Sequence, residues 1–198
     1  MVSPRIVLER RDVVATVVHD RGDALVVTGL GSPTWDAAAA GDSALNFYMW
    51  GAMGGAAMVG FGLALAQPSR RIVVLTGDGE LLMGLGSLAT IGISRPSNLS
   101  IVVLDNESYG ETGMQASHTA RGVDLAAMAA AANFTSATTI YTRVELDAWI
   151  PTIYGRAGPV LGVVKVVANQ PALQVPVRDG AYIKARFREA LLGAAAFE

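Results

Sequence analysis

Cysteine is absent from the 198 residues, which removes disulfides, thiolate nucleophiles, cysteine-ligated zinc and iron–sulfur clusters from consideration. Charge is also scarce. Only 16 % of the residues are Asp, Glu, Lys or Arg, and they sum to a formal net charge of -2. No basic stripe is available to hold nucleic acid or an anionic membrane surface, so both are discounted as partners. The phosphate-binding loop GxxxxGK[ST] does not occur, and GLGSPT (29–34) begins like a G-x-G-x-x-G turn but fails at its last position. The opening MVSPRIVLERRDVV has no apolar core of the length a secretion signal needs, which makes the cytoplasm the default compartment.

What the chain has in quantity is apolar side chain, 52 % of the total, enough to fill one sizeable core. A single domain spanning 1–198 with its core at about 25–170 is expected, since no repeat, low-complexity segment or long linker divides it. One run, FYMWGAMGGAAMVGFGLALA (47–66), has the length of a membrane helix and carries Gly51 and Gly55 at GxxxG spacing. Its five glycines, the polar GDSALN before it and the apolar strand after it favour a helix buried in the protein.

Apolar runs alternate with helical patterns along the chain. Strands are predicted at 24–29, 72–77, 100–105, 136–140 and 159–167. Helices are predicted at 54–66, 80–93, 123–132, 143–154 and from about 179 to 192, with a short helix-like segment before residue 25. Strands that are apolar on both faces and alternate with helices indicate an α/β fold, an open parallel sheet with helices on both faces. Ligands of such sheets bind beyond the carboxyl ends of the strands.

Two of those ends carry oxygen ligands. IVVLTG runs into Gly77-Asp78-Gly79, and SIVVL runs into Asp105-Asn106. The flanking glycines let the backbone turn sharply beside Asp78 and expose amide groups to a phosphate. Asp78 and the amide oxygen of Asn106 suit a hard divalent cation such as Mg²⁺, which is commonly held by one or two protein groups together with phosphate oxygens. A Gly-Asp-Gly turn on its own also makes ordinary loops; the Asn106 partner one βα unit later adds the specificity.

With 25 residues between GDG and Asp105-Asn106, the arrangement resembles the thiamine-diphosphate motif of thiamine-dependent decarboxylases and acetolactate-synthase-like enzymes, in their diphosphate-binding domain. WGAMGGAAMVGFGLALA (50–66) is similar to the G-x-M-G helix start of those enzymes. DNESYGETGMQASHT (105–119) looks like the corresponding segment in small subunits of sulfopyruvate and phosphonopyruvate decarboxylases. The resemblance spans most of residues 25 to 170. It implies thiamine diphosphate and Mg²⁺ as cofactors, with Asp78, Asn106 and the carbonyl of Ser108 as metal ligands. The backbone around Gly77, Gly79 and Glu80 and the Tyr109–Gly110 turn would face the diphosphate. Met53 would wedge beneath the cofactor, a role suited to a soft unbranched side chain, and the carbonyl of Gly51 would accept a bond from its aminopyrimidine. Gln115 and His118, together with Met53, are the candidates nearest the reacting carbon, His118 as a general acid in competition with an ordinary solvated role. His19, in VVHDRGD, reads as a surface residue. Arg121 is available for an anionic substrate.

Three departures from the family pattern stand out. Asp105 replaces a frequent Asn without needing to touch the metal. Met114 replaces a common glycine and would narrow the pocket. Glu80 is larger than the usual residue after GDG.

The implied activity is decarboxylation of a 2-oxoacid, for which the bound cofactor supplies the electron sink. The glutamate that activates the cofactor belongs in this family to a pyrimidine-binding domain, which is not recognisable here. A partner alpha subunit carrying that glutamate, and a hetero-oligomer with the site at the interface, are therefore expected. The alternatives are the diphosphate-binding subunit of a carboligase or 2-oxoacid oxidoreductase, or a non-catalytic assembly subunit.

Overall fold

Val, Ile and Leu run in blocks of up to four residues through this chain, and in the computed structural model, which describes residues 6–155 and 157–197, the two longest, 72–75 and 101–104, lie in strands. The elements in order are α1 (Arg10–Val18), β1 (Leu25–Thr28), α2 (Ser32–Ala39), β2 (Asn46–Tyr48), α3 (Ala56–Ala66), β3 (Ile72–Gly77), α4 (Asp78–Met83) and α5 (Ser87–Ser94). There follow β4 (Leu99–Asp105), β5 (Ser108–Tyr109), β6 (Gln115–Ala116), α6 (Leu125–Ala131), β7 (Ser136–Ile140), α7 (Arg143–Tyr154), β8 (Val160–Lys165) and α8 (Gly180–Leu192). Six strands form one parallel sheet in the order β2-β1-β3-β4-β8-β7, and β5 and β6 make a small antiparallel hairpin. The expected open parallel sheet with helices on both faces is what forms. The terminal residues 1–5 and 198 of the expected domain, and residue 156, lie outside the described residues.

Side chains alternate across the sheet. Ile72, Val74, Ile101, Val103, Leu161 and Val163 face one apolar core with α3, α4, α5 and α6. Val73, Leu75, Val102, Leu104, Val160 and Val164 face the other, with α1 and α7. This period of two, apolar on both sides, is what a sheet covered on both faces requires. α8 closes the β2 edge, placing Phe187 in the first core, edge-on to Phe47 at 5.4 Å, and Ile183 in the second.

Three expectations change. The helix predicted over 80–93 is two helices, because the chain is pinched at Gly84, where a Cβ would come within 2.1 Å of the Gly54 carbonyl oxygen. The run 47–66 is not one helix: it contains the end of β2, a loop and the eleven-residue α3, whose Ala57, Gly60, Phe61 and Ala64 pack inward. No helix among the described residues is long and apolar enough to cross a membrane. α2 and β2 had no counterpart in the periodicity.

Asn98, buried before β4, donates from Nδ2 to the carbonyls of Ala64 (3.1 Å), Gln67 (3.0 Å) and Arg70 (2.9 Å), tying the end of α3 and its following turn to the sheet. Asn98→Ala is expected to cost about 2–3 kcal/mol in urea unfolding, because several carbonyls lose one buried donor together.

Candidate active site

β1 leads through α2 outward to β2, whereas β3 leads in the opposite direction to β4, so the loops after β1 and β3 part from one another. A crevice at such a switch point is where open α/β sheets bind ligands. The cleft found there is lined by Leu30, Ser32 and Pro33 after β1, by Gly77, Asp78, Gly79 and Glu80 after β3, and by Asn106, Ser108, Tyr109 and Gly110 after β4. Met53 reaches it from the loop before α3, and Arg10 from α1.

Asp78 is 2 % exposed. Its Oδ2 accepts hydrogen bonds from the Ser117 hydroxyl and from Thr119 Oγ1 at 3.2 Å, and among the described residues it has no cationic partner. Thr119 Oγ1 also lies 2.7 Å from Asp105 Oδ1. Burial, and secondarily the negative charge of Asp105, push the Asp78 pKa up to about 6. Asp105 is compensated differently. Its register partner on β8 is Lys165, whose Nζ lies 2.8 Å from Asp105 Oδ2 and 2.7 Å from Glu107 Oε1. Burial would lower the Lys165 pKa, but the hydrogen bonds to the two carboxylates outweigh it and leave the pKa raised. Of the two neighbouring aspartates, Asp105 is neutralised and Asp78 is left short of a positive charge.

That imbalance is the local evidence for a cation. Asn106 stands beside Asp78 with its Oδ1 accepting from the Ser108 amide at 3.0 Å, and Glu107 takes a left-handed conformation (φ 59°) that turns the chain tightly at this point. Carboxylate, amide oxygen and backbone carbonyl are the hard oxygen donors that Mg²⁺ prefers. The residues therefore fit the metal that the sequence motif implies.

Met53 is half-buried in a loop fixed by two unusual backbone features: Ala52 has φ 54°, and Gly54, with φ 92°, lies against Gly84. Gly51, expected to offer a carbonyl, is exposed and is not part of the cleft lining. Glu80 turns its side chain inward: Oε2 accepts from Thr76 Oγ1 at 2.7 Å and lies against Gly29, where a Cβ would come within 1.4 Å of it. Burial raises the Glu80 pKa, partly offset by the Thr76 hydroxyl and the nearby amides of Ala56, Gly54 and Gly77. The large side chain is thus accommodated by glycine at position 29.

Gln115 and His118 do not reach the cleft lining. Gln115 is exposed on β6, with Oε1 accepting from Thr112 Oγ1 at 2.9 Å, and His118 is exposed with Nδ1 3.3 Å from the Tyr109 hydroxyl. Met114 adopts φ 62°, a conformation easier for the glycine it replaces, and lines an adjoining groove instead of the cleft. Arg121 is exposed, and His19 is exposed beside Asp20. Sequence reasoning missed Ser117 and Thr119, which hold Asp78, and Lys165, which neutralises Asp105. Only the Lys in the otherwise apolar run PVLGVVKVV hinted at a partner there.

Residues 29–164 match the family described as "Thiamine pyrophosphate enzyme, C-terminal TPP binding domain". The chain belongs to that family. It is 37 % identical to the sulfopyruvate decarboxylase subunit beta of Methanothermobacter thermautotrophicus over 189 residues, covering 96 % of this chain and 98 % of that protein. It is 42 % identical to the phosphonopyruvate decarboxylase of Streptomyces viridochromogenes over 139 residues, 70 % of this chain and 34 % of the other. The fold is shared with the thiamine diphosphate-dependent 4-hydroxybenzoylformate decarboxylase of Rhodococcus jostii RHA1, at TM-score 0.69 and 19 % identity, covering 85 % of this chain and 34 % of that one. This TPP-binding domain thus equals a whole subunit of one relative and spans about a third of the length of two other proteins it matches.

A native pKa of about 6 against an ordinary 3.8 means that the folded state disfavours the Asp78 carboxylate. The cost is fully present above pH 6 and disappears below about 3.8. Asp78→Asn is therefore expected to stabilise the metal-free protein at pH 8, by about 1–3 kcal/mol, with the gain vanishing toward pH 4 in urea unfolding.

Proposed function

We propose that this chain is the diphosphate-binding subunit of a thiamine-diphosphate- and Mg²⁺-dependent 2-oxoacid decarboxylase of the sulfopyruvate decarboxylase kind. The observation that carries the reading is the buried, uncompensated Asp78 beside Asn106 at the switch point of a family fold. Asp78, Asn106 and Ser108 would hold the metal. Ser117 and Thr119 keep the Asp78 carboxylate in one orientation, leaving Oδ1 available for ligation. The Gly77–Gly79 turn and the Tyr109–Gly110 segment would face the diphosphate, and Met53 would support the rings from below. When bound, the cofactor supplies the electron sink that loss of CO₂ from a 2-oxoacid needs. This chain's own residues bind and orient it. Gln115 and His118, outside the cleft here, would act only if the hairpin β5–β6 is brought over the site by a partner.

A partner is part of the proposal. The relative of matching length is named a subunit, and the activating glutamate that the resemblance implies belongs to a pyrimidine-binding domain. The second chain would supply it across the interface, and sulfopyruvate is the first 2-oxoacid to test.

Native mass spectrometry of the assembly, isolated from its own cells through a tag on this chain, tests the reading. The expected spectrum holds a second chain of comparable mass with thiamine diphosphate and magnesium retained. A homo-oligomer without cofactor would overturn it. In the same assembly, Asp78→Ala is expected to lower decarboxylation of the accepted 2-oxoacid at least a hundredfold. Unchanged turnover would instead favour a non-catalytic assembly subunit.

A further inference from the structure

A guanidinium lines the cleft that the motif left without any basic residue. Leu8 bridges to Val166 just beyond β8, which brings the start of α1, and with it Arg10, to the carboxyl edge of the sheet. Arg10 is only 5 % exposed. Its Nε donates to Asp36 Oδ2, and its Nη1 reaches the Asn169 carbonyl at a long 3.5 Å; among the described residues nothing accepts from Nη2. Asp36, fully buried, is shared with Arg11, whose Nε lies 3.2 Å from Oδ1. Asp36 is divided between two guanidiniums, which leaves the Nη2 edge of Arg10 without an acceptor, and a buried cation so placed gains from an anion that completes its fork.

The position of Arg10 says which anion. Arg10, Ser32, Asn106, Gly110 and Glu111 line both the cleft and the groove that continues toward Asn169, whereas Met53, Gly79 and Glu80 line the cleft alone. Arg10 therefore stands at the Asn106 end, away from Met53. The eight-residue α2 begins beside it, and the Glu111 carboxylate on the same wall is held back against Gly31, where a Cβ would fall 2.4 Å from its Oε1, with Trp35 Nε1 donating to it at 3.4 Å.

Resting on the reading of this cleft as a thiamine diphosphate site, we propose that Arg10 is a ligand of the cofactor's diphosphate, offering the outer edge of its guanidinium from an element that lies outside residues 29–164 matched to the family. α1 is then part of the binding site as well as of the scaffold.

The test uses the tag-purified assembly stripped of cofactor. Thiamine diphosphate is titrated calorimetrically in Mg²⁺, and magnesium pyrophosphate is measured as a competitor. Arg10→Met is expected to weaken both ligands by about ten- to a hundredfold, the range for hydrogen bonds to a charged group. Arg11→Met, which removes the other half of the Asp36 clamp and does not line the cleft, is expected to change neither by more than about twofold. If Arg10→Met does not fold, the double variant Arg10→Met with Asp36→Leu replaces the pair by apolar side chains, and the same loss is expected. Equal effects of the Arg10 and Arg11 substitutions, or unchanged affinity in the double variant, would overturn the proposal while leaving the cofactor reading intact. A parent assembly that binds no thiamine diphosphate would sink both.

Discussion

A carboxylate held out of water with hydroxyls for partners and, among the described residues, no cation is the constraint around which this molecule is organised. Asp78 sits in the turn that ends the central strand β3, and the two hydroxyls that hold it come from the segment after the β5–β6 hairpin. Thr119 also reaches Asp105 at the end of β4, and Asp105 is matched by Lys165 at the end of β8. Three neighbouring strand ends and one loop are thereby locked into a polar network of few members. Three carboxylates, Asp78, Asp105 and Glu107, meet one cation, Lys165. A buried carboxylate is costly without a cation, so the arrangement suits a positively charged ligand.

The rest of the fold serves to place that network at an opening. Because β1 and β3 send their helices in opposite directions, the sheet parts above them, and three loops converge on the gap. Close backbone approaches, such as Gly54 against Gly84, fix the Met53 loop relative to the GDG turn. Outside the family span, α1 and the segment after β8 wrap the same edge. Leu8 bridges to Val166, Arg11 donates to the Ala172 carbonyl at 2.8 Å, and Trp50 donates to the Val177 carbonyl at 3.1 Å. These additions thicken the wall of the cleft at its Asn106 end.

Much of this was legible in the residues. β3 and β7 carry the predicted bounds, and β4 is only one residue longer; β3 and β4 are aliphatic runs buried on both faces, which have few other fates. α7 likewise matches over its whole length, marked by the Thr142–Glu145 capping box. The three-residue β2 was not legible, since NFY opens an apolar stretch that continues into the Met53 loop. Nor was α2, whose SPTWDAAA follows a turn that mimics a nucleotide loop. At the site, Asp78 and Asn106 could be found from their places after two successive strands, and Met53 from the resemblance to the family's motif. Arg10, Ser117 and Lys165 could not. Each contributes through a contact between residues 26 to 60 positions apart, and only the folded sheet brings the pairs together.

The proposal on which everything else rests is that Asp78 would hold a divalent cation that binds together with the diphosphate. Calorimetric titration of thiamine diphosphate into the cofactor-stripped assembly, in saturating Mg²⁺ and again in excess chelator, tests it most directly. The account predicts one molecule bound per copy of this chain with Mg²⁺ and no measurable binding without a divalent ion. Equal affinity in the two buffers would contradict it.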